Sequence, residues 1–131
     1  MKKLIALLCL LLLIGCGKKV DNLVERNGVK FEIDSTTPYN GIYKSYYENG
    51  QLKTEENYKY GKLEGVAKAY DESGKPKMEI NYKNGIREGV VKFYNKNGKL
   101  KTELNYKNGK IWGIYKQYSD NGQLELETMV N

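Results

Sequence analysis

Gly65-Val-Ala-Lys-Ala-Tyr-Asp-Glu-Ser-Gly74 and Gly89-Val-Val-Lys-Phe-Tyr-Asn-Lys-Asn-Gly98 are one ten-residue phrase written twice, 24 positions apart. To either side the phrase returns as Gly41-Ile-Tyr-Lys-Ser-Tyr-Tyr-Glu-Asn-Gly50 and Gly113-Ile-Tyr-Lys-Gln-Tyr-Ser-Asp-Asn-Gly122. A fixed period of this length marks stacked supersecondary units, each too small to bury its own apolar side without a neighbour.

Two turn signals fall in each period. Asn49-Gly50, Ser73-Gly74, Asn97-Gly98 and Asn121-Gly122 form one series, and Tyr60-Gly61, Asn84-Gly85 and Asn108-Gly109 the other. Asn and Gly tolerate positive φ, which tight hairpin turns require. Between the turns the chain alternates: Leu52, Thr54, Glu56, Tyr58, then Pro76, Met78, Ile80, Tyr82, then Leu100, Thr102, Leu104, Tyr106, then Leu124, Leu126, Thr128, Val130. Lys53, Glu55 and Asn57 with their counterparts take the opposite side, so each segment predicts a strand with one mainly apolar and one wet face. No segment offers a helical period instead.

Two-residue turns at the first series would set Lys44 opposite Glu55, Lys68 opposite Glu79, Lys92 opposite Glu103 and Lys116 opposite Glu127, one ion pair repeated in four units. A three-residue loop with a bulged Gly is the competing reading and would set Tyr46 opposite Leu52. Pro38 and Pro76 suit a strand start or an edge, because Pro cannot donate to a ladder.

Before the repeats, Lys2 and Lys3 precede an apolar run from Leu4 to Ile14 that is too short for a permanent span of roughly 20 residues, which predicts a cleaved export signal at 1–15. Leu13-Ile14-Gly15-Cys16 resembles the lipobox of bacterial lipoproteins, which implies diacylglyceryl attachment at the Cys16 thiol and cleavage before it. Two or three chains at roughly 0.8 kcal/mol per buried methylene would anchor the protein durably. Residues 16–22 then form a lipidated tether, and residues 23–131 the repeat domain. Cleavage removes Cys9 and lipidation occupies Cys16, which leaves no thiol for an internal disulfide. Loss of Lys2 and Lys3 takes the formal charge from +6 to +4.

With no His in 131 residues, His-dependent acid/base work, Ser-His and Cys-His nucleophiles and His-containing zinc sites are excluded. Identical Glu columns lack the asymmetry that paired-carboxylate catalysis needs. No Gly-rich phosphate loop or Cys cluster appears, so neither enzyme activity nor a metal or cofactor is expected. The basic balance of an exported chain points to an anionic membrane surface or an acidic partner rather than nucleic acid.

The units, together with Tyr58-Lys-Tyr-Gly61-Lys-Leu-Glu-Gly65 and Tyr82-Lys-Asn-Gly85-Ile-Arg-Glu-Gly89, resemble MORN-type repeats, and more closely the bacterial MORN variant of the YwqK-like family, often labelled antitoxin. The resemblance implies an all-β chain: a single elongated, twisted antiparallel sheet of stacked two-stranded units after a cleaved N-terminal signal helix. A leading partial unit would occupy 23–40, with repeats starting near 41, 65, 89 and 113.

Candidate surface-binding residues are the column Tyr46, Tyr70, Tyr94 and Tyr118 and the single indole Trp112, because such rings combine contact area with a polar tip. Packing of the repeat is the alternative role for the same rings. The functional expectation is a lipid-anchored, non-catalytic interaction or scaffold module of the bacterial envelope, at the outer membrane where a cell has two. The alternatives are an antitoxin or immunity-like binder and a direct anionic-membrane binder.

Overall fold

A computed structural model describes residues 22–131; the expected export signal at 1–15, Cys16 and all but the last residue of the expected tether at 16–22 lie outside the described residues. Alternating, turn-punctuated sequence becomes eleven strands: β1 (Leu23–Arg26), β2 (Val29–Glu32), β3 (Gly41–Tyr46), β4 (Leu52–Lys59), β5 (Lys62–Leu63), β6 (Gly65–Tyr70), β7 (Pro76–Lys83), β8 (Ile86–Tyr94), β9 (Leu100–Lys107), β10 (Lys110–Tyr118) and β11 (Leu124–Val130). There is no helix among the described residues. The main sheet is antiparallel and runs β11-β10-β9-β8-β7-β6-β4-β3, with β5 paired to β4. Sequential neighbours pair because every connection is a hairpin, so the sequence period becomes a spatial period.

The leading unit departs from the single-sheet expectation. β1 and β2 form their own two-stranded sheet, held to the main one by a bridge between Phe31 and Pro38 and by Lys30 N–H donating to the Gly61 carbonyl at 2.8 Å. Its pairing follows from Asn27-Gly28, a two-residue turn with both residues at positive φ, and a cross-strand ion pair of Lys30 with Glu25 at 3.0 Å.

The two turn series are physically different. Tyr60-Gly61, Asn84-Gly85 and Asn108-Gly109 are two-residue turns with positive φ throughout, the geometry whose twist matches that of the flanking strands. The other series takes the competing form. Gly50 N–H donates to the Tyr47 carbonyl and Tyr47 N–H to the Gln51 carbonyl, which leaves Gly50 as a left-handed bulge at φ 85°; the same pattern recurs at Asp71, Asn95 and Ser119. Asp, Asn or Ser at the turn's first position supplies the acceptor: Asp71 Oδ1 takes the N–H groups of Ser73 and Lys75, and Asn95 Oδ1 those of Asn97 and Lys99.

Tyr46 accordingly pairs with Leu52, yet Lys44 still pairs with Glu55. A second irregularity beside each loop reconciles the two readings. Lys53, Lys77, Lys101 and Glu125 are each an extra residue between consecutive pairs, and they restore the register by one.

One face carries the core. Ala67, Ile80, Val91, Leu104 and Tyr115 lie in one transverse row across consecutive strands, and Ile80, Val91 and Leu104 are its buried centre, flanked by Met78, Tyr82 and Tyr106. Val91 is 1% exposed; full burial of such a side chain contributes about 1.5–3 kcal/mol. Further out the rows turn polar, with Glu56 on β4 and Thr128 on β11.

Candidate functional site

The opposite face is built from the columns that begin at Ile42, Lys44 and Tyr46. Within hairpins Lys44 pairs with Glu55, Lys68 with Glu79, Lys92 with Glu103 and Lys116 with Glu127. Between hairpins Glu55 pairs with Lys68, Glu79 with Lys92 and Glu103 with Lys116. The result is an uninterrupted row, Lys44-Glu55-Lys68-Glu79-Lys92-Glu103-Lys116-Glu127, in which the charge alternates on every strand. Direct ion pairs close at 3.3 Å for Lys44 with Glu55 and at 3.8 Å for Lys116 with Glu127. Each exposed pair contributes at most about 1 kcal/mol; together the pairs penalise any slip that would set like charges opposite.

A second row secures the bulges near Gly65, Gly89 and Gly113, which sit at φ 82°, 97° and 88°. There the strand leaves a ladder position, and the amides of Asn57, Asn81 and Asn105 donate to the carbonyls of Val66, Val90 and Ile114 at 2.9, 2.7 and 3.4 Å. Neighbouring repeats are also stitched turn to turn. Asn40 Oδ1 accepts from Tyr60 N–H, Glu64 from Asn84 N–H and Glu88 from Asn108 N–H, at 2.8, 2.6 and 2.6 Å. The recurrence of Glu three residues after Gly61 and Gly85 is the sequence signal for this acceptor.

Tyr46, Tyr70, Tyr94 and Tyr118 do form one column, on the same face as the charged row. Tyr46 is 47% exposed and the other three are half-buried. Burial first, and then the charge and hydrogen bond of Glu79, raise the Tyr94 phenol above its ordinary value. The bulge lysines Lys53, Lys77 and Lys101 are exposed along this margin, and Lys53 Nζ lies 5.6 Å from the Tyr47 ring centroid. Tyr47 and Asn49 tie one loop to the next through the carbonyls of Tyr70 and Glu72.

Trp112 does not join the tyrosine column. It lies between the Asn108-Gly109 turn and the bulge at Gly113, 53% exposed, with Lys107 Nζ 4.8 Å above its ring. It occupies the repeat position held by Asn40, Glu64 and Glu88 in the earlier units.

The other tyrosine column serves packing. Tyr82 and Tyr106 flank the core, and Tyr58 donates to Glu56 at 2.8 Å; burial and that hydrogen bond hold the Tyr58 phenol well above its usual range. Clefts are shallow and open. One of about 370 Å³ lies between the leading hairpin and the sheet, lined by Glu25, Lys30, Tyr58, Leu63 and Ile86 among others, and another of about 430 Å³ by Tyr94, Asn95, Lys96, Asn97, Lys101 and Asp120. Among the described residues no three Asp, Glu, Cys or His side chains converge as metal ligands would.

The pattern of the MORN repeat variant matches residues 39–60, 63–84, 87–108 and 113–131. No curated protein matches the sequence significantly. Similar solved structures include two of TarM. One, of a Staphylococcus aureus point mutant in complex with fondaparinux, alpha-GlcNAc-glycerol and UDP, is 13% identical, with a TM-score of 0.48 over 92% of this chain. The other is 14% identical, with a TM-score of 0.46 over 91% of this chain. This chain spans 22% of the length of either.

Proposed function

The chain belongs to the MORN repeat variant family, and from that premise we propose that it is a non-catalytic, lipid-anchored scaffold of the bacterial envelope, with its charged face receiving an acidic protein partner. The observation that carries the reading is the margin of that face. Exposed Lys53, Lys77 and Lys101 alternate with the Tyr46, Tyr70 and Tyr94 column over three consecutive units. Tyrosine supplies rigid contact area, and the lysines, lying outside the balanced Lys–Glu row, supply net positive charge. A one-layer sheet with shallow clefts favours binding along a surface over chemistry in a pocket.

Anchoring through Cys16 rests on the signal and lipobox pattern in the sequence, and closer kinship with the YwqK-like family rests on the repeat units. Metabolic labelling with a palmitate analogue should mark the full chain, and Cys16→Ser should abolish the label; retained label would reject the anchor. Capture from detergent-solubilised membranes tests the surface. A specific envelope protein should be retained by the full chain and lost on Lys53→Glu, Lys77→Glu and Lys101→Glu together. Retention indifferent to those charges, or no retained partner, would reject the assigned face.

A further inference from the structure

The charged row ends differently at its two ends: Lys44 on β3 at one edge and Glu127 on β11 at the other. Among the described residues β3 pairs only with β4, and β11 only with β10, so no strand lies on the outer side of either; on β3 the Ile42 carbonyl accepts from the Tyr39 hydroxyl at 2.9 Å. The leading hairpin forms no ladder with β3; its contacts fall on Gly61 and towards Asn84 and Ile86.

Exposure reports the missing neighbours. Ile42 on β3 is 56% exposed, against 39% for Ile114 and half-burial for Val66 and Val90 at the same repeat position on inner strands. On β11, Leu124, Leu126 and Met129 are all exposed. Long strands with open ladders and exposed apolar side chains are templates for pairing with another chain.

We propose that β11 of one copy pairs with β3 of the next, so that chains stack head to tail and continue the period across the junction. The register is dictated by the repeat. Inside the chain β7 meets β8 with Met78 opposite Phe93, Glu79 opposite Lys92 and Ile80 opposite Val91. Carried two periods outward in each direction, the same pairing sets Leu126 opposite Ser45, Glu127 opposite Lys44 and Thr128 opposite Tyr43 of the next copy. The alternation of charge passes through the junction unbroken.

The alternative symmetric contacts meet like charges. Two β3 edges brought together on the charged row place Lys44 against Lys44, and two β11 edges place Glu127 against Glu127. The same residues that discourage self-pairing of either edge therefore favour pairing of unlike edges, which is a heterologous contact that extends rather than closes. One strand pair buries less than the roughly 1,200 Å² of a stable interface, so association is weak and depends on concentration. The proposal is independent of what the charged face binds.

Photocrosslinking tests it on the full chain in detergent micelles, with p-benzoylphenylalanine in place of Leu126. A ladder of dimers and larger products is expected, with the photoproduct mapping to Gly41–Tyr46 of the second copy. Lys44→Glu should lower the yield roughly fivefold, as expected when an attractive exposed pair becomes repulsive. Adding Glu127→Lys to the same chain should restore most of it. Should either variant melt early, Lys44→Gln, which sets no like charge beside Glu55, should still lower the yield about twofold. A photoproduct joining β11 to β11, a yield indifferent to residue 44, or no chain-to-chain product at any concentration would overturn the head-to-tail arrangement.

Discussion

Ile80 and Leu104 are buried at the position where Thr128 lies exposed on β11 and Glu56 half-buried on β4, although all four occupy one repeat column. The middle and the margins of the sheet share a period, a turn chemistry and a register, and differ in how many neighbours each strand has. The two-stranded sheet of β1 and β2 sits by Gly61 at one end, so over the middle of the main sheet lateral neighbours largely decide burial; Glu56, on β4 between β3 and β6, differs from Ile80 in polarity instead. Apolar Ile80, Val91 and Leu104 therefore concentrate where strands are flanked on both sides. A graded form of the contrast runs along the other face, from half-buried Val66 and Val90 through Ile114 to the more exposed Ile42 at the edge.

Gly61 breaks the comparison most sharply. It shares its turn position with Gly85, but a Cβ on Gly61 would collide with Val29 and lie 2.6 Å from the Lys30 carbonyl oxygen, while a Cβ on Gly85 would meet nothing nearer than Lys62 Cβ at 3.8 Å. Both glycines have positive φ. Gly85→Ala should therefore cost about 1 kcal/mol in urea unfolding, and Gly61→Ala about 3 kcal/mol with detachment of the leading hairpin, seen as faster amide exchange in β1 and β2. Equal costs would mean that the hairpin contributes nothing.

Val91→Ala comes next, at about 2 kcal/mol, against less than about 0.5 kcal/mol for Thr128→Ala on the edge. Thermal melts of the two variants measure the difference in burial directly. Glu64→Ala should cost about 1 kcal/mol by leaving Asn84 N–H without its carboxylate acceptor. Trp112→Ala, at the same repeat position, should cost less than about 0.5 kcal/mol, because its ring is exposed.

Smaller still is the coupling in the charged row. A double-mutant cycle on Lys116 and Glu127 should return about 0.5 kcal/mol and shrink in 1 M salt. Coupling that ignores salt would assign the pairing to packing.

The smallest effect belongs to one turn. Asp71 and Asn95 hold equivalent loops, but only Asp71 titrates, and hydrogen bonds from Ser73 and Lys75 hold its carboxyl below the ordinary range. A depressed folded value means that this stabilisation is complete above the unfolded value of about 4 and is lost as pH falls through the folded value. Asp71→Asn should flatten that slight acid loss in urea midpoints taken between about pH 5 and 2, and a variant with an unchanged slope would remove the turn from the account.

Much of this was legible in residues 41–131. The two turn series, the alternation and the four Lys–Glu pairs within hairpins all follow from local spacing, because each depends on residues less than one period apart. The loop at Asn49-Gly50 was harder to read. Two-residue and bulged three-residue closures demand the same Asn-Gly, and the compensating irregularity at Lys53 leaves the distant register unchanged. The tyrosine column could be placed on a face but not assigned an exposure, since Tyr46 and Tyr94 differ only in their neighbours.

The sequence by itself therefore determined the strands, the turn positions, the repeat and the Lys–Glu pairing inside each hairpin, because these are contacts between residues adjacent along the chain. Only the tertiary structure decided that hairpins join into one continuous alternating charge row, that the leading unit stands apart on Gly61, and which equivalent residues are buried. Those properties belong to the order in which units stack, and a residue's burial is set by neighbours that its own repeat does not contain.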